Sequence, residues 1–237
     1  MKAKAQPFLK DGEFVSTNDV LVAFCWLLGS EISLKAKHIV TGGDLDIGNT
    51  FVTAAVEALK NGIDLIPENY SGNAVMSIPI IVQGDELNEA PLKEVFAKLA
   101  LTMRSTLNVV KQQPAIAVQG ILFYYSSMTA GKLLTPVPGD RMRGLHTNLL
   151  KLPAEEIDFG QGRPVHLLLL YIPYFTQVWG FGPGFDFDGV IMQATLLGSQ
   201  AAALKDSIII KEFAPGIRDV YSDFTMEEIK KRMKVAD

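Results

Sequence analysis

Hydrophobic and polar positions along the chain fall into alternating helical and strand periods. Residues 17–28 are apolar almost all round, which marks a core helix rather than a surface one. Ser16, with Asp19 three residues on, supplies its start: the hydroxyl accepts from a backbone N–H and the carboxylate lies near the positive helix end. Between 29 and 50 small and polar residues mix without a convincing period, and Gly42-Gly43-Asp44 reads as a turn. His38 falls in this region with neither an adjacent acid nor a second ligand, and reads as a structural histidine. Residues 50–59 alternate and are rich in β-branched side chains, a strand closed by Asn61-Gly62. A second apolar strand follows over 74–82. From Pro91, the residues Leu92, Val95, Phe96, Leu99, Met103, Leu107 and Val110 recur at threes and fours, an amphipathic helix with Lys93, Glu94, Lys98 and Arg104 as solvated charges on its other faces.

The second half of the chain continues the pattern. Residues 112–129 are read as a helix and 135–144 as a loop carrying Arg141 and Arg143. Leu145, Thr147 and Leu149 then alternate with His146 and Asn148, the period-two signature of a strand, so His146 and Thr147 should point to opposite faces. Val165 to Tyr171 is a continuous apolar run, a strand buried on both faces. Gly180-Phe181-Gly182-Pro183-Gly184 lacks the fingerprint of a phosphate-cradling loop and is expected to be a turn between strands. Residues 189–196 follow as a strand, 199–206 as a short helix and 207–211 as a further strand. Thr225-Met226-Glu227-Glu228 forms a capping box before a last amphipathic helix.

Composition narrows the class. With 237 residues, 48% hydrophobic and 20% charged, the chain is long enough to bury a sizeable core as one domain, or as half of something larger. A net charge of −4 without a basic block gives no footprint for nucleic acid or an acidic membrane surface. The lone Cys25, inside the first apolar helix, excludes a disulfide framework and is expected to be a buried, inert thiol. No apolar run approaches the roughly 20 residues of a membrane span, and the amino terminus lacks the apolar core of a secretory signal. A cytoplasmic protein without a membrane partner is the expectation.

Two polar loops carry the candidate chemistry. Pro67-Glu68-Asn69-Tyr70-Ser71-Gly72-Asn73 precedes the strand that begins at Ala74, and its glycine lies beside amide and hydroxyl groups. Such a loop is suited either to close approach of a ligand to its own N–H groups or to a turn held by its side chains. Asp158-Phe159-Gly160-Gln161-Gly162-Arg163-Pro164 contains two glycines that can adopt backbone angles closed to other residues, and a proline that forbids a helix onset.

This second loop, preceded by a Thr-containing strand and the Leu152-Pro153 pair, resembles the Asp-Phe-Gly-x-Gly-Arg/Lys-Pro signature of the BAHD acyltransferases. Three further stretches agree in order and spacing: Ser16-Thr17-Asn18-Asp19, the loop from Pro67 to Val75, and Asp188-Gly189-Val190. All belong to the carboxyl-terminal half of that family. The resemblance implies an α+β, chloramphenicol-acetyltransferase-like half: a mixed, mostly antiparallel sheet with packed helices, as one domain over 1–237. It also implies acyl-CoA as co-substrate, no permanently bound cofactor, no metal, and a small-molecule hydroxyl or amine as acceptor. By the same resemblance Ser71, Gly72, Asn73 and Ala74 lie at the CoA channel, and Thr147 lies on the oxyanion side of the reacting carbonyl. Asp158, Phe159, Gly160, Gly162 and Arg163 form an architectural loop remote from the reacting atoms.

The chain also departs from the family pattern. Leu149 stands where the family's Thr-x-Trp has tryptophan, and Gln161 replaces the usual tryptophan of the Asp-Phe-Gly loop. Lys60 and Asn61 stand near the place of an arginine that pairs with the loop aspartate, so Lys60, Arg163 or backbone N–H groups are the alternatives for Asp158. The family places its general base in a His-x-x-x-Asp-Gly motif of the amino-terminal half, and none of His38, His146 or His166 has aspartate four residues on. A base is worth about 10²–10⁴ in rate, so this chain alone is expected to be nearly inactive. Two readings follow: an acyltransferase half that works with a separate amino-terminal half or is a truncated product, and a non-catalytic CoA-binding or scaffold remnant of the same fold.

Overall fold

Helix α2, Thr17–Thr41, contributes Val20–Leu28 and Ile32 to the hydrophobic core. The computed structural model describes residues 1–41, 50–57, 75–82, 90–113, 115, 142–151, 156, 158, 160, 162, 177–183 and 189–216. In chain order the elements are α1 (Lys2–Ala5), a 3-10 turn (Gln6–Phe8), α2, β1 (Thr50–Glu57), β2 (Val75–Val82), α3 (Leu92–Gln112), β3 (Met142–Asn148), β4 (Val178–Pro183), β5 (Val190–Thr195), α4 (Gly198–Leu204) and α5 (Ile208–Phe213). The strands form one sheet in the order β2-β1-β3-β4-β5. Its outer pairs, β1 with β2 and β4 with β5, are antiparallel, and its inner pairs, β1 with β3 and β3 with β4, are parallel. The mixed sheet with packed helices is therefore as expected, and the fold class is α+β.

The apolar periods account for the helix layer. From Val20 to Leu28 every residue of α2 is buried, because the helix touches α3, β3, α4 and α5 as well as β1. On α3 the stripe Val95, Phe96, Leu99, Met103 and Val110 is buried, with Leu92 and Leu107 partly so. The Phe96 ring stacks on Phe213 of α5 at 4.2 Å. The sheet meets this layer with Ile80 and Val82 of β2 and Trp179 and Phe181 of β4. Cys25 is buried against Met192, sulfur to sulfur at 3.7 Å, and burial pushes its thiol pKa up, as expected of an inert thiol.

The helix start is capped as its sequence suggests. Ser16 Oγ accepts from the Asp19 N–H at 3.3 Å and Asp19 Oδ2 accepts from the Ser16 N–H at 2.7 Å. Asp19 has no solvent exposure, and Arg104 brings the opposite charge to it: its Nε and guanidinium Nη2 stand 2.8 and 2.6 Å from Asp19 Oδ2, while Oδ1 has no hydrogen-bond partner among the described residues. Arg104 is therefore not the solvated charge the helical pattern suggests. A neighbour distant in the chain claims it, and no local spacing reveals that.

Four other expectations are corrected. The helix does not stop near residue 28 but runs to Thr41, and Glu31, Ser33 and Lys35 beyond Gly29 bond to other parts of the fold. Glu31 accepts from Lys35 Nζ at 2.7 Å, from Ser207 Oγ, and from the N–H groups of Ile208 at 2.9 Å and Ile209 at 3.4 Å. Burial raises the Glu31 pKa, but Lys35, Ser207 and the two N–H groups together outweigh it and hold the carboxyl below its ordinary range. Those same bonds explain why residues 207–211 are not a strand: with Ser207 Oγ accepting from the Ile210 N–H at 3.1 Å, the start of α5 is satisfied and the isoleucines wind into a helix. The glycine-rich run at 180 is a strand rather than a turn. Pairing on both sides, to β3 and β5, overrides glycine's weak strand preference, and Pro183 sits at the last position. β3 also begins at Met142, inside the stretch expected to be loop. The elements expected over 112–129, beyond their first residues, and over 165–171 and from Thr225 onward lie outside the described residues.

Stability should expose the Asp19 arrangement directly. Arg104→Met leaves a buried carboxylate without its cation and should lower the unfolding free energy by about 3–5 kcal/mol, whereas Ser16→Ala removes one cap acceptor and should cost about 1 kcal/mol. Urea unfolding of the two variants checks the order; an equal or larger loss in Ser16→Ala refutes it.

Candidate functional site

β3 divides its residues between two environments. His146 is only 2% exposed and lies on the side facing the helix layer, in register with Ala54 of β1 and Trp179 of β4. Thr147, partly buried, takes the opposite side by the alternation of the pleat, in register with Gly180. The opposition expected from the sequence is the arrangement found. Leu149, just past the strand, donates its N–H to the Phe181 carbonyl at 2.8 Å, and its side chain supplies no hydrogen-bond donor.

His146 cannot serve as a solvent-accessible base in this position. Among the described residues neither ring nitrogen has a hydrogen-bond partner, and burial lowers its pKa from 6.5 to about 3, so the imidazole is neutral near pH 7. Trp179 Nε1 beside it likewise has no partner among the described residues. The side chain of His38, whose backbone belongs to α2, and the whole of His166 lie outside what the structure describes. Among the described residues, no group of three or more His, Cys, Asp or Glu is placed to hold a metal ion, and no helix is long and apolar enough to cross a membrane.

The aspartate loop is organised around one oxygen. Asp158 Oδ1 accepts from the N–H of Gly160 at 2.7 Å and from that of Gly162 at 3.0 Å. Both glycines have left-handed backbone angles, φ of 85° and 93°, which let the two N–H groups converge on that oxygen without a Cβ penalty. Of the alternatives for Asp158, backbone N–H groups are the partners seen; Lys60, Phe159 and Arg163 lie outside the described residues. So do Ser71, Gly72, Asn73 and Ala74.

Two features had no clear sequence signal. Asn148 Nδ2 donates to Asn18 Oδ1 at 2.7 Å, joining the end of β3 to the first turn of α2; the Ser-Thr-Asn-Asp cluster shows the cap but not this bond. Gln177, at the entry to β4, has φ of 59° and is 3% exposed. Its Nε2 donates to Ser33 Oγ and, at 3.4 Å, to the Gly29 carbonyl. A non-glycine residue in this region is uncommon, and the side-chain bonds to α2 help to hold it there.

No known protein-family model matches the chain, and no curated protein matches it in sequence. Solved structures do match. TRI101 of F. sporotrichioides complexed with coenzyme A and T-2 aligns with a TM-score of 0.65 at 20% identity, over 89% of this chain and 46% of that one. TRI101 of F. graminearum complexed with coenzyme A and deoxynivalenol aligns at 0.57 and 18% identity, over 87% and 44%. Vinorine synthase aligns at 0.55 and 17%, over 85% and 42%. The chain has their fold. It spans less than half the length of these structures, and at such identities the likeness is one of fold alone.

The burial of His146 sets a pH response. Its folded pKa lies below the unfolded value, so the unfolded state binds the proton first. The stability contributed is present above about pH 6.5 and is lost as pH falls from there toward 3. His146→Leu should remove up to one proton from that slope, about 1.4 kcal/mol per pH unit. Urea unfolding at pH 7, 5.5 and 4.5 reads it; parallel acid losses in the two proteins refute it.

Proposed function

We propose that the chain is the coenzyme A- and acceptor-supporting half of an acyl-CoA-dependent acyltransferase, moving an acyl group from the thioester to a hydroxyl or amine. The observation that carries this reading is the division of β3. It presents Thr147 away from the helix layer, beside a glycine, while sealing His146 beneath α2. The strand thus offers a hydroxyl to a reacting carbonyl and withholds its imidazole. Four motifs in register with the carboxyl-terminal half of the BAHD family support it. So does the fold shared with vinorine synthase and with TRI101, which is seen in complex with coenzyme A.

In this reading an acceptor oxygen or nitrogen attacks the thioester carbonyl and the carbonyl oxygen becomes an oxyanion. Thr147 Oγ1–H donates to that oxyanion, which stabilises charge that exists only on the way to product. Collapse breaks the C–S bond, and coenzyme A leaves as a thiol on receiving the proton that a base took from the acceptor. That base belongs to a His-x-x-x-Asp-Gly motif outside these residues, in an amino-terminal half. Ser71, Gly72, Asn73 and Ala74 line the coenzyme A channel. Asp158, Phe159, Gly160, Gly162 and Arg163 keep an architectural role, which suits a carboxylate already occupied by its own loop. The setting is a cytoplasmic one.

Leu149 favours a second reading, a non-catalytic coenzyme A-binding or scaffold protein, because its side chain supplies no donor to the oxyanion. The experiment that separates the two combines calorimetric titration with coenzyme A and a free-thiol assay on acetyl-CoA, with a panel of alcohols and amines, in the presence of a partner chain carrying His-x-x-x-Asp-Gly. The acyltransferase half should release thiol only with the partner, and Thr147→Val should lower kcat by about 10²–10³. Coenzyme A binding without turnover in any combination establishes the binding module instead, and absence of binding overturns both.

A further inference from the structure

The bond between Asn148 and Asn18 serves neither the helix cap nor the apolar core, and it lies one residue from Thr147. Asn148 is the last residue of β3, and two of its side-chain atoms are engaged. Nδ2 donates to Asn18 Oδ1 at 2.7 Å, and Oδ1 accepts from the Leu150 N–H at 3.0 Å. The intervening Leu149 N–H donates to the Phe181 carbonyl at 2.8 Å. The strand end is thus held from the helix layer by one bond and from β4 by another.

Asn18 is itself immobilised. Its neighbours Ser16 and Asp19 satisfy the cap reciprocally, and Arg104 anchors Asp19 to α3. Capping therefore leaves the Asn18 amide unused, and the amide reaches the sheet instead. The location matters as well. Asn148 is exposed and Thr147 only partly buried, so apolar packing does little to set the strand end, and directional bonds must do so. Because consecutive strand residues face opposite ways, an Asn148 tied to α2 obliges Thr147 to face away from it.

We infer that Asn18 and Asn148 form a positioning pair that fixes the orientation of Thr147 toward the acyl carbonyl. The inference rests on the acyl-transfer reading above and adds to it residues that touch neither substrate nor reacting atoms. It makes the first turn of α2 a support for the chemistry rather than only the start of a core helix.

Two measurements test the pair. In the full chain labelled at threonine methyl groups, Asn148→Ala and Asn18→Ala should each shift or broaden the Thr147 signal, and the double variant should go no further than the larger single effect. Asn18→Asp, whose carboxylate still accepts from Asn148, should keep the wild-type signal. With the His-bearing partner and acetyl-CoA, Asn148→Ala should lower kcat about three- to tenfold while leaving KM for acetyl-CoA unchanged. A Thr147 signal unmoved by both alanine variants overturns the pair whether or not turnover is seen. So does turnover that falls in Thr147→Val but not in Asn148→Ala. If the signal moves as expected while Thr147→Val turns over normally, the pair stands as the orienting clamp of Thr147 and the acyl-transfer reading is what fails.

Discussion

A carboxylate with no exposure to solvent governs how this molecule is put together. Asp19 sits in the first turn of a helix whose residues 19–30 are all buried, and placing its charge there is costly unless hydrogen bonds and an opposite charge meet it. Ser16 and Arg104 provide both, and in doing so they fix α2 against α3. Further along the same helix Glu31 plays a matching part, closing the start of α5. Two acidic residues on one helix therefore decide which elements dock on it and where. The apolar surface between them, from Val20 to Leu28, supplies the favourable burial but no direction, since hydrophobic contact is not directional.

With α2 held in this way, the sheet beneath it acquires two unlike sides. The side that meets the helices takes His146, Trp179 and Phe181, and the other takes Thr147. A neutral, buried imidazole and a hydroxyl on adjacent residues are chemically separated by the pleat, not by distance along the chain. That separation leaves a hydroxyl, and not an imidazole, on the side of the strand turned from the helices. The likeness to structures about twice as long, at identities of 17–20%, is a likeness of fold to part of those longer chains.

Regular periods and local bonds were legible from residues alone. The α3 stripe, the β3 alternation, the Ser16–Asp19 cap and the Asp158 loop all depend on side chains within a few positions of one another, and the structure realises each of them. The residues whose roles were misread or unseen depend on distant partners. Arg104 carries no mark of its bond to Asp19, and the Gly180 run carries the composition of a turn. The three isoleucines from 208 have the composition of a strand, until Glu31, far away in sequence, accepts the N–H groups of the first two.

The amino-acid order by itself determined the helix and strand character of the strongly periodic segments, the opposition of His146 and Thr147, and the loop built on Asp158, because torsional preference and side-chain spacing act over one or two turns. Only the tertiary structure decided that α2 runs on to Thr41, that the glycine-rich run lies inside the sheet, and that Asn18 reaches Asn148. Those outcomes depend on hydrogen bonds and charges between segments tens or hundreds of residues apart, and such contacts come into being only when the chain has closed around its core.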